Sequence, residues 1–314
     1  MVFGIDSGKV HCVFHDDNTE SAGIGPNGEY NCFTCGAKAH DEIGFIAKYF
    51  GVGLKRAERI KNAFINAQRY RHGAHPLTDE QKQLLTSEGI TGAAQDYFIC
   101  SGKGKLVYQH KWSGLTIGTT WFNHPKLSSY NKGSSKYMYD RNIVAGLLSP
   151  LDDAIKYNTV IVTEGEKDML TAKAKGINNV VTKIGGAKSY IIGGKPLEGK
   201  RVALIYDCDE YGRDGMEQDA QILATRFGCI VKIVDLQLQD KEDLNDYFIK
   251  YNKSVDDLHT LIKNTPVFVP KPEDPNERFN KILDSMSDND LSTLYTLLQQ
   301  RFNEPKNIKK LKEK

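Results

Sequence analysis

Two acidic turns carry the strongest chemical signal in this 314-residue sequence. Glu164 and Gly165 follow the apolar, β-branched run Val160–Thr163, and Asp207 and Asp209 follow a second apolar run. Ligands of open α/β sheets bind outside the carboxyl ends of the strands, so chemistry is expected at these positions. Residues two apart in an extended segment point the same way, and clustered carboxylates repel unless a cation lies among them. Oxygen ligands of this kind favour Mg²⁺ or Mn²⁺.

Two further acids belong to the same candidate site. Asp168 lies one helical turn beyond Glu164, and Asp243 lies in an acidic segment, residues 242–248. Either turn alone is explained by an acidic helix cap. Because the turns occur in consecutive strand–helix units and the acidic segment follows, the sequence favours a divalent-metal site over two unrelated caps.

A second candidate metal site lies within the first 53 residues. It consists of two pairs of ligands with two-residue gaps, namely Cys12, His15, Cys32 and Cys35. This spacing is typical of turns that place four ligands tetrahedrally on Zn²⁺. His11 and His40 are alternative ligands, and a chance arrangement of reduced cysteines is the alternative to a zinc site. So short a segment needs such a staple because it buries too little apolar surface by itself.

Strands and helices that could position these residues alternate in the second half of the chain. The predicted strands are Thr159–Thr163, Val180–Lys183, Arg201–Tyr206 and Ile230–Asp235. Helices are predicted at Glu166–Lys175 and from about Asp214 to Phe227. This alternation predicts a parallel sheet. Gly185 and Gly186, after the second strand, could approach a phosphate or simply form a turn.

The first half of the chain has a different pattern. Helices are predicted at Asp41–Tyr49 and Lys55–Tyr70, and a cap signal starts another at Thr78. Mixed β structure follows at Leu106–Trp112, Thr116–Phe122 and Lys136–Tyr139, where aromatic residues alternate with lysines. Aromatic faces stack bases and lysines follow phosphates, whereas many aromatics only fill a core.

The acidic turns resemble those of the TOPRIM domain, which DnaG-type primases share with topoisomerases, recombination mediators and some nucleases. The resemblance rests on Glu164-Gly165-x-x-Asp168 and Asp207-x-Asp209-x-x-Gly212. It implies that Glu164, Asp207 and Asp209 are catalytic and bind Mg²⁺ or Mn²⁺, with Asp168 and Asp243 as further ligands.

The segment around Asp243 also resembles the Lys-Asp-Pro-Asp-x-Tyr-Leu segment of primases. Asp243 stands at the first Asp, but Leu244 and Asn245 occupy the positions of Pro and the second Asp. This departure puts the full set of metal sites in doubt.

The ligand order Cys-His-Cys-Cys is similar to that of the N-terminal zinc domain of DnaG-type primases. The surrounding motif departs from that family at Val13, Glu20 and Ala22, none of which is a candidate ligand. Together with the TOPRIM motifs, the resemblance covers about residues 10–250. The chain is most similar in organisation to a compact or phage-like primase without a fused helicase.

The predicted fold is therefore multidomain α/β. It comprises a zinc ribbon-like domain (1–53), a basic helix and linker (54–76), a basic mixed α+β core subdomain (77–153), a parallel TOPRIM sheet (154–263), and a Pro-rich linker with a short helical tail (264–314).

The resemblance implies that the chain joins ribonucleotides into a short RNA primer on a single-stranded DNA template by two-metal-ion nucleotidyl transfer. The implied cofactors are one Zn²⁺ and catalytic Mg²⁺ or Mn²⁺, and the implied partners are template, ribonucleoside triphosphates and a replicative helicase at the C-terminal tail. A non-catalytic zinc-plus-TOPRIM recombination mediator is the alternative, and a TOPRIM nuclease is a further one.

Charge is distributed unevenly, although the net charge is only +2. Residues 101–141 carry seven basic groups against one acidic group, which favours nucleic-acid binding. The predicted contacts are Lys105, Lys111, Lys132, Lys136, Tyr137, Arg141 and Lys183. No apolar run reaches the ~18–20 residues that a membrane span needs, and no signal peptide is evident, so a cytoplasmic protein without a membrane partner is expected.

Overall fold

The computed structural model describes residues 8–15, 17–69, 74–112, 115–140, 143–152, 154–186, 188–272, 292–297 and 299. The chain forms two compact units, Met1–Pro270 and Lys271–Lys314. Apolar residues at helical spacing predict two helices in the second unit, Asn276–Met286 and Leu291–Phe302. Residues 292–297 are helical, within the second of these. The other helix predicted there, Asn276–Met286, lies outside the described residues.

An antiparallel sheet of four short strands opens the first unit. Its strands, in both sequence and spatial order, are β1 (Gly8–Val10), β2 (Ala22–Ile24), β3 (Tyr30–Cys32) and β4 (Lys38–Ala39). The turn between β2 and β3 contains Gly28 with a φ of 82°, a conformation that favours glycine. Asn27-Gly28 is a sequence signal for a hairpin at this position, and the antiparallel pairing of β2 with β3 confirms it.

Two helices connect this sheet to the main core. They are α1 (Glu42–Phe50), capped by the Asp41 carboxylate, and α2 (Leu54–Arg69). Tyr49, Phe50 and Phe64 are buried around Trp112, with ring centroids 4.9–5.3 Å from the indole. The predicted helices are confirmed, and their apolar faces share one core with the chain's larger sheet. The domain boundaries placed at residues 53 and 76 stay predictions.

The middle region is a helix followed by an antiparallel sheet. Helix α3 (Asp79–Ser87) begins at Thr78 with a capping box that Gln81 completes. The sheet consists, in order, of β5 (Phe98–Cys100), β6 (Leu106–Trp112), β7 (Leu115–Phe122) and β8 (Tyr137–Tyr139). This mixed α+β arrangement agrees with the prediction.

The largest sheet has five strands, of which four are parallel. Its strands are β9 (Leu148–Ser149), β10 (Thr159–Thr163), β11 (Val180–Lys183), β12 (Arg201–Ile205) and β13 (Ile230–Ile233), in the spatial order β13-β12-β10-β11-β9. Four helices follow the strands: α4 (Glu166–Ala174), α5 (Glu210–Phe227), α6 (Leu244–Ile249) and α7 (Val255–Asn264). The parallel sheet is confirmed, and β9 adds an antiparallel edge that was not predicted.

Both faces of this sheet are covered, which explains the near-continuous apolar composition of its strands. Val160 and Val162 of β10 pack into one core with α1, α2 and α5, whereas Ile161 packs into a second core with α4, α6 and α7. Because the sheet is buried on both sides, the loops at its carboxyl edge are held on a rigid support. None of the helices in the described ranges is long and apolar enough to span a membrane.

Candidate functional site

The carboxyl edge of the five-stranded sheet brings the first two predicted acids together. Strands β10 and β12 are adjacent and parallel, with Thr163 opposite Ile205, so Glu164 and Asp207 follow the strands at the same level. The backbone N–H of Asp207 donates to Glu164 Oε2 over 3.4 Å. This juxtaposition across forty-three residues is what the strand-and-turn pattern predicted.

Asp207 has an unusual electrostatic environment. Burial, followed by the nearby charges of Glu164, Asp243 and Asp209, raises the pKa of the Asp207 carboxyl to about 7. Such a shift means that the carboxylates crowd one another with too little positive charge between them. A divalent cation with oxygen ligands would relieve this repulsion, so the donor set fits Mg²⁺ or Mn²⁺.

Asp209 completes this group and starts α5. Its Oδ1 accepts a hydrogen bond of 2.7 Å from the backbone N–H of Gly212, which makes Asp209 the N-cap. The helix therefore begins at Glu210, four residues earlier than the predicted start near Asp214. A Cβ at Gly212 would lie 2.1 Å from the backbone oxygen of Asp207, so the tight turn requires glycine here.

Glu164, Asp207 and Asp209 on one side, and Asp168 and Asp243 on the other, form a group of carboxylates that we call the acidic edge. Asp168 and Asp243 both have partners within the protein. Asp168 is buried and its Oδ1 accepts from the backbone N–H of Asn245 over 3.0 Å. Asp243 caps α6, and its Oδ2 lies 2.8 Å from Nζ of Lys167. Burial, then the charges of Asp243 and Asp207, raise the pKa of Asp168 well above its usual range.

Asn245 and Lys167 were not predicted as site residues. The side-chain amide of Asn245 donates to the backbone oxygen of Glu88 (2.6 Å) and to Thr171 Oγ1 (2.8 Å), which ties α3, α4 and α6 together. The departure from the primase motif at Asn245 was the signal that could have identified it. The pairing of Lys167 with Asp243 spans 76 residues and has no local sequence signal.

Lys183 was predicted to contact nucleic acid, and the structure corrects this. Its Nζ is fully buried, 2.6 Å from Asp219 Oδ2 and 2.7 Å from the backbone oxygen of Ser189. The hydroxyl of Tyr206 donates to the same carboxylate oxygen over 2.7 Å. Lys183 is therefore part of a buried network beneath the acidic edge. Its hydrogen bond to the backbone oxygen of Ser189 fixes the loop that carries Gly186.

That loop lies beside the acidic edge. Gly185 and Gly186 have φ values of 94° and 69°, and a Cβ on Gly186 would lie 3.7 Å from Glu164 Oε1. The backbone thus passes close to the first acidic residue, as the double glycine allowed.

A second buried network joins the acidic edge to the antiparallel sheet. Thr120 Oγ1, on β7, donates to Glu166 Oε1 over 3.0 Å and lies 2.8 Å from Nε2 of His110, on β6. His110 Nε2 is 3.3 Å from the same carboxylate oxygen. Because Glu166 is the first residue of α4, this contact fixes the turn at Glu164 and Gly165 relative to the sheet.

The remaining predicted nucleic-acid contacts lie on or beside the antiparallel sheet. The ammonium groups of Lys105, Lys111 and Lys136 lie 4.4–5.2 Å from the ring centroids of Trp121, Tyr97 and Tyr137, respectively. Lys132 is exposed, and Arg141 lies outside the described residues. Burial, followed by the charges of Glu166, Asp168 and Asp243, raises the pKa of Tyr137. Their contact with nucleic acid stays a prediction.

The four predicted zinc ligands also come together. The ligand atoms of Cys12, His15, Cys32 and Cys35 lie within 4.8 Å of one another. Cys12 Sγ is 3.7 Å from Cys35 Sγ, and Cys32 Sγ is 3.9 Å from His15 Nδ1. Three sulfurs and one imidazole nitrogen are the donors that a structural Zn²⁺ prefers, so the cluster fits zinc. Neither His11 nor His40 belongs to it.

Neighbouring groups orient these ligands. The hydroxyl of Tyr30 donates to Cys12 Sγ over 3.0 Å, and Asp17 Oδ1 lies 3.7 Å from His15 Nε2, on the side of the ring that faces away from Cys32. Although burial acts against ionisation, hydrogen bonds from Ser21 and from two backbone N–H groups lower the pKa of Cys32 to about 6. The thiolate is the form that binds metal. The surroundings therefore favour that form at Cys32, whereas burial raises the pKa of Cys12 and opposes it there.

Comparison with known proteins agrees with this geometry. The Toprim-like family profile matches residues 161–248. A DNA primase from Clostridium acetobutylicum is 22% identical over 77% of this chain and 52% of its own length. A primase homolog protein from Arabidopsis thaliana is 26% identical over 43% of this chain and 40% of its own length. The chain thus spans about half the length of the curated relatives it matches.

A solved structure extends the comparison to the fold. The zinc-binding and RNA polymerase domains of the Aquifex aeolicus primase have a TM-score of 0.51 to this chain at 20% identity, covering 83% of this chain and 79% of that one. The resemblance drawn from the motifs is confirmed: the chain carries a TOPRIM domain in a fold similar to that of a DnaG-type primase with its zinc-binding domain.

Proposed function

We propose that this protein is a primase that synthesises short RNA primers on single-stranded DNA. The observation that carries the proposal is the convergence of Glu164, Asp207 and Asp209 at the carboxyl edge of a TOPRIM sheet. The same chain gathers four zinc ligands upstream, in the order typical of DnaG-type primases. The relative from Clostridium acetobutylicum, which is named as a DNA primase, supports the same reaction class.

Glu164, Asp207 and Asp209 would hold the catalytic Mg²⁺ or Mn²⁺. When bound, the divalent cation neutralises triphosphate charge and increases the acidity of the attacking 3′-hydroxyl. The chain's own part is to fix the donors. Asp207 donates its backbone N–H to Glu164, and Asp209 is immobilised as the cap of α5. No protein nucleophile is assigned.

The template and the incoming ribonucleotides would lie against the antiparallel sheet. Lys136 precedes its last strand and lies over the ring of Tyr137, on which the charges of Glu166, Asp168 and Asp243 act, and Lys105 lies over the ring of Trp121. Aromatic rings paired with lysines suit an unpaired strand, because bases stack and phosphates are neutralised. The zinc-binding sheet would recognise the template sequence, and the C-terminal tail would bind a helicase.

The test is primer synthesis on a single-stranded template with four ribonucleotides and Mg²⁺. Glu164→Gln, Asp207→Asn and Asp209→Asn keep side-chain size while each removes a charge. Each should lower the rate roughly 100-fold or more, because several kcal/mol of transition-state stabilisation depend on the bound cation and ~1.4 kcal/mol is tenfold in rate. Asp256→Asn, an exposed site on α7, is the matched control and should retain activity.

Melting temperature serves as the folding control for these variants. Wild-type rates in Asp207→Asn and Asp209→Asn would contradict the metal assignment. They would leave a DNA-binding protein without catalysis as the better account of the chain.

A further inference from the structure

Lys167 places a positive charge inside the acidic edge. It is the second residue of α4, and its Nζ lies 2.8 Å from Asp243 Oδ2, with the two side chains only 18% and 16% exposed. A lysine ammonium held at hydrogen-bond distance in a mostly buried pair is a fixed cation, because separating the pair would leave a charge uncompensated.

Asp243 has little capacity left for another cation. Its Oδ1 accepts from the backbone N–H of Asp246 over 2.8 Å, so both carboxylate oxygens already have partners. Lys167 also lies close enough to Asp168 and Asp207 to act on their charges. Glu88 is the further acid facing this ammonium group.

Asn245 removes another donor from the same side. Its side-chain nitrogen donates to Glu88 and Thr171, and its backbone N–H donates to Asp168. Because both hydrogen bonds of the Asn245 amide go to the protein, this neutral side chain occupies a position where a carboxylate would add negative charge. With Glu88 included, this side has three carboxylates and one ammonium group, a formal charge of −2. Glu164, Asp207 and Asp209 on the other side sum to −3.

We infer that Lys167 is a built-in cation that takes the place of a second divalent ion, so the acidic edge binds one Mg²⁺ or Mn²⁺ at Glu164, Asp207 and Asp209. The inference rests on the proposed function for the identity of that site. It revises the expectation that Asp168 and Asp243 are direct metal ligands and assigns them to the ammonium group and to the N–H of Asn245.

The experiment counts Mn²⁺ ions bound at equilibrium by the full, zinc-loaded chain, measured from the electron paramagnetic resonance signal of free Mn²⁺. Neither template nor nucleotide is present. Wild type is expected to bind one ion. Lys167→Met removes the ammonium group with little change in side-chain length and is expected to bind two. Lys167→Arg keeps the charge and is expected to bind one.

Two further variants complete the set. Lys175→Met removes an exposed lysine at the other end of α4 and should bind one ion, as wild type does. In the double variant Lys167→Met/Asp243→Asn the second ion should be lost again. Melting curves with and without Mn²⁺ show whether Lys167→Met is folded, and Mn²⁺ should raise its melting temperature more than that of wild type.

Two ions on wild type, or a single ion on folded Lys167→Met, would overturn the inference. Lys167→Met that stays unfolded at saturating Mn²⁺ would also overturn it, because a second divalent ion should then replace the lost charge. A wild-type protein that binds one ion but makes no primers would contradict only the proposed function. A protein that binds two ions and makes primers would contradict only the role of Lys167.

Discussion

The two candidate metal sites of this protein are built in opposite ways. The zinc ligands come from two short segments, and their sheet, β1–β4, has a small core of its own that includes Cys12 and Cys32. The acidic edge instead takes its residues from the ends of β10 and β12 and from α4 and α6, all carried by a sheet buried on both faces. The comparison predicts that zinc would hold its own surroundings together, whereas packing on both faces of the five-stranded sheet would keep the acidic edge folded when no divalent cation is bound.

The largest effect should come from removing zinc. Apparent binding free energies of structural zinc are about 10–16 kcal/mol, and such binding stabilises the fold directly. Cys32→Ser or chelation should therefore unfold β1–β4. Helix α1 should stay folded, since Ile46, Tyr49 and Phe50 belong to the main core. Metal analysis and hydrogen exchange of the individual segments provide the measurement.

Cys100→Ser is the control, because Cys100 is buried but lies outside the ligand cluster. It should keep a full zinc content. Retention of zinc by Cys32→Ser, or unfolding of the five-stranded sheet on chelation, would remove the distinction between the two sites. Withdrawal of Mg²⁺ should leave the rate of hydrogen exchange at the acidic edge nearly the same as in the presence of Mg²⁺.

The next effect concerns the buried network beneath the acidic edge. Asp219→Ala leaves the Lys183 ammonium group buried without its carboxylate, which should lower the free energy of unfolding by about 3–5 kcal/mol. Lys183→Met combined with Asp219→Leu should recover much of that loss, since no buried charge remains. Urea denaturation measures both.

An exposed ion pair in the same domain provides the comparison. Glu198→Ala breaks the pair with Lys195, and exposed pairs contribute only about 0–1 kcal/mol. Equal losses for Asp219→Ala and Glu198→Ala would show that the buried Lys183–Asp219 pair matters no more for stability than an exposed pair.

The fold was predictable from the sequence where its determinants are local. The zinc ligands were found from two-residue gaps, and Glu164 and Asp207 were found because each follows an apolar strand. Lys183 was misinterpreted because Asp219, the residue that buries it, is 36 positions further on. The predicted start of α5 near Asp214 is four residues late because the sequence favours the metal-site interpretation of Asp209 over the helix cap, whereas its carboxylate does cap the helix.

Asn245 shows the same limit at the acidic edge. Its replacement of the expected Asp indicated only that a metal ligand is missing, whereas the structure makes it the link between three helices. Asn245→Leu should lower the free energy of unfolding by about 1–3 kcal/mol, because it leaves the Glu88 carbonyl and Thr171 without their donor. Chemical denaturation checks this value.

Asn245→Asp separates packing from hydrogen bonding, since it keeps the shape but cannot donate to the Glu88 carbonyl. It should be destabilised at least as much as Asn245→Leu, because it also buries a carboxylate beside Asp168 and the Glu88 carbonyl. A stability equal to wild type in both variants would show that the acidic edge does not depend on this contact.

The most direct test of the whole account is the chemical identity of the product. The zinc-loaded protein is incubated with Mg²⁺, ribonucleoside triphosphates and a single-stranded DNA of known sequence, and the products are analysed by mass spectrometry. If the acidic edge catalyses primer synthesis, short oligoribonucleotides complementary to the template and bearing a 5′-triphosphate should form, and Asp207→Asn should form almost none. DNA bound without new oligoribonucleotides, or equal product from Asp207→Asn, would contradict the account.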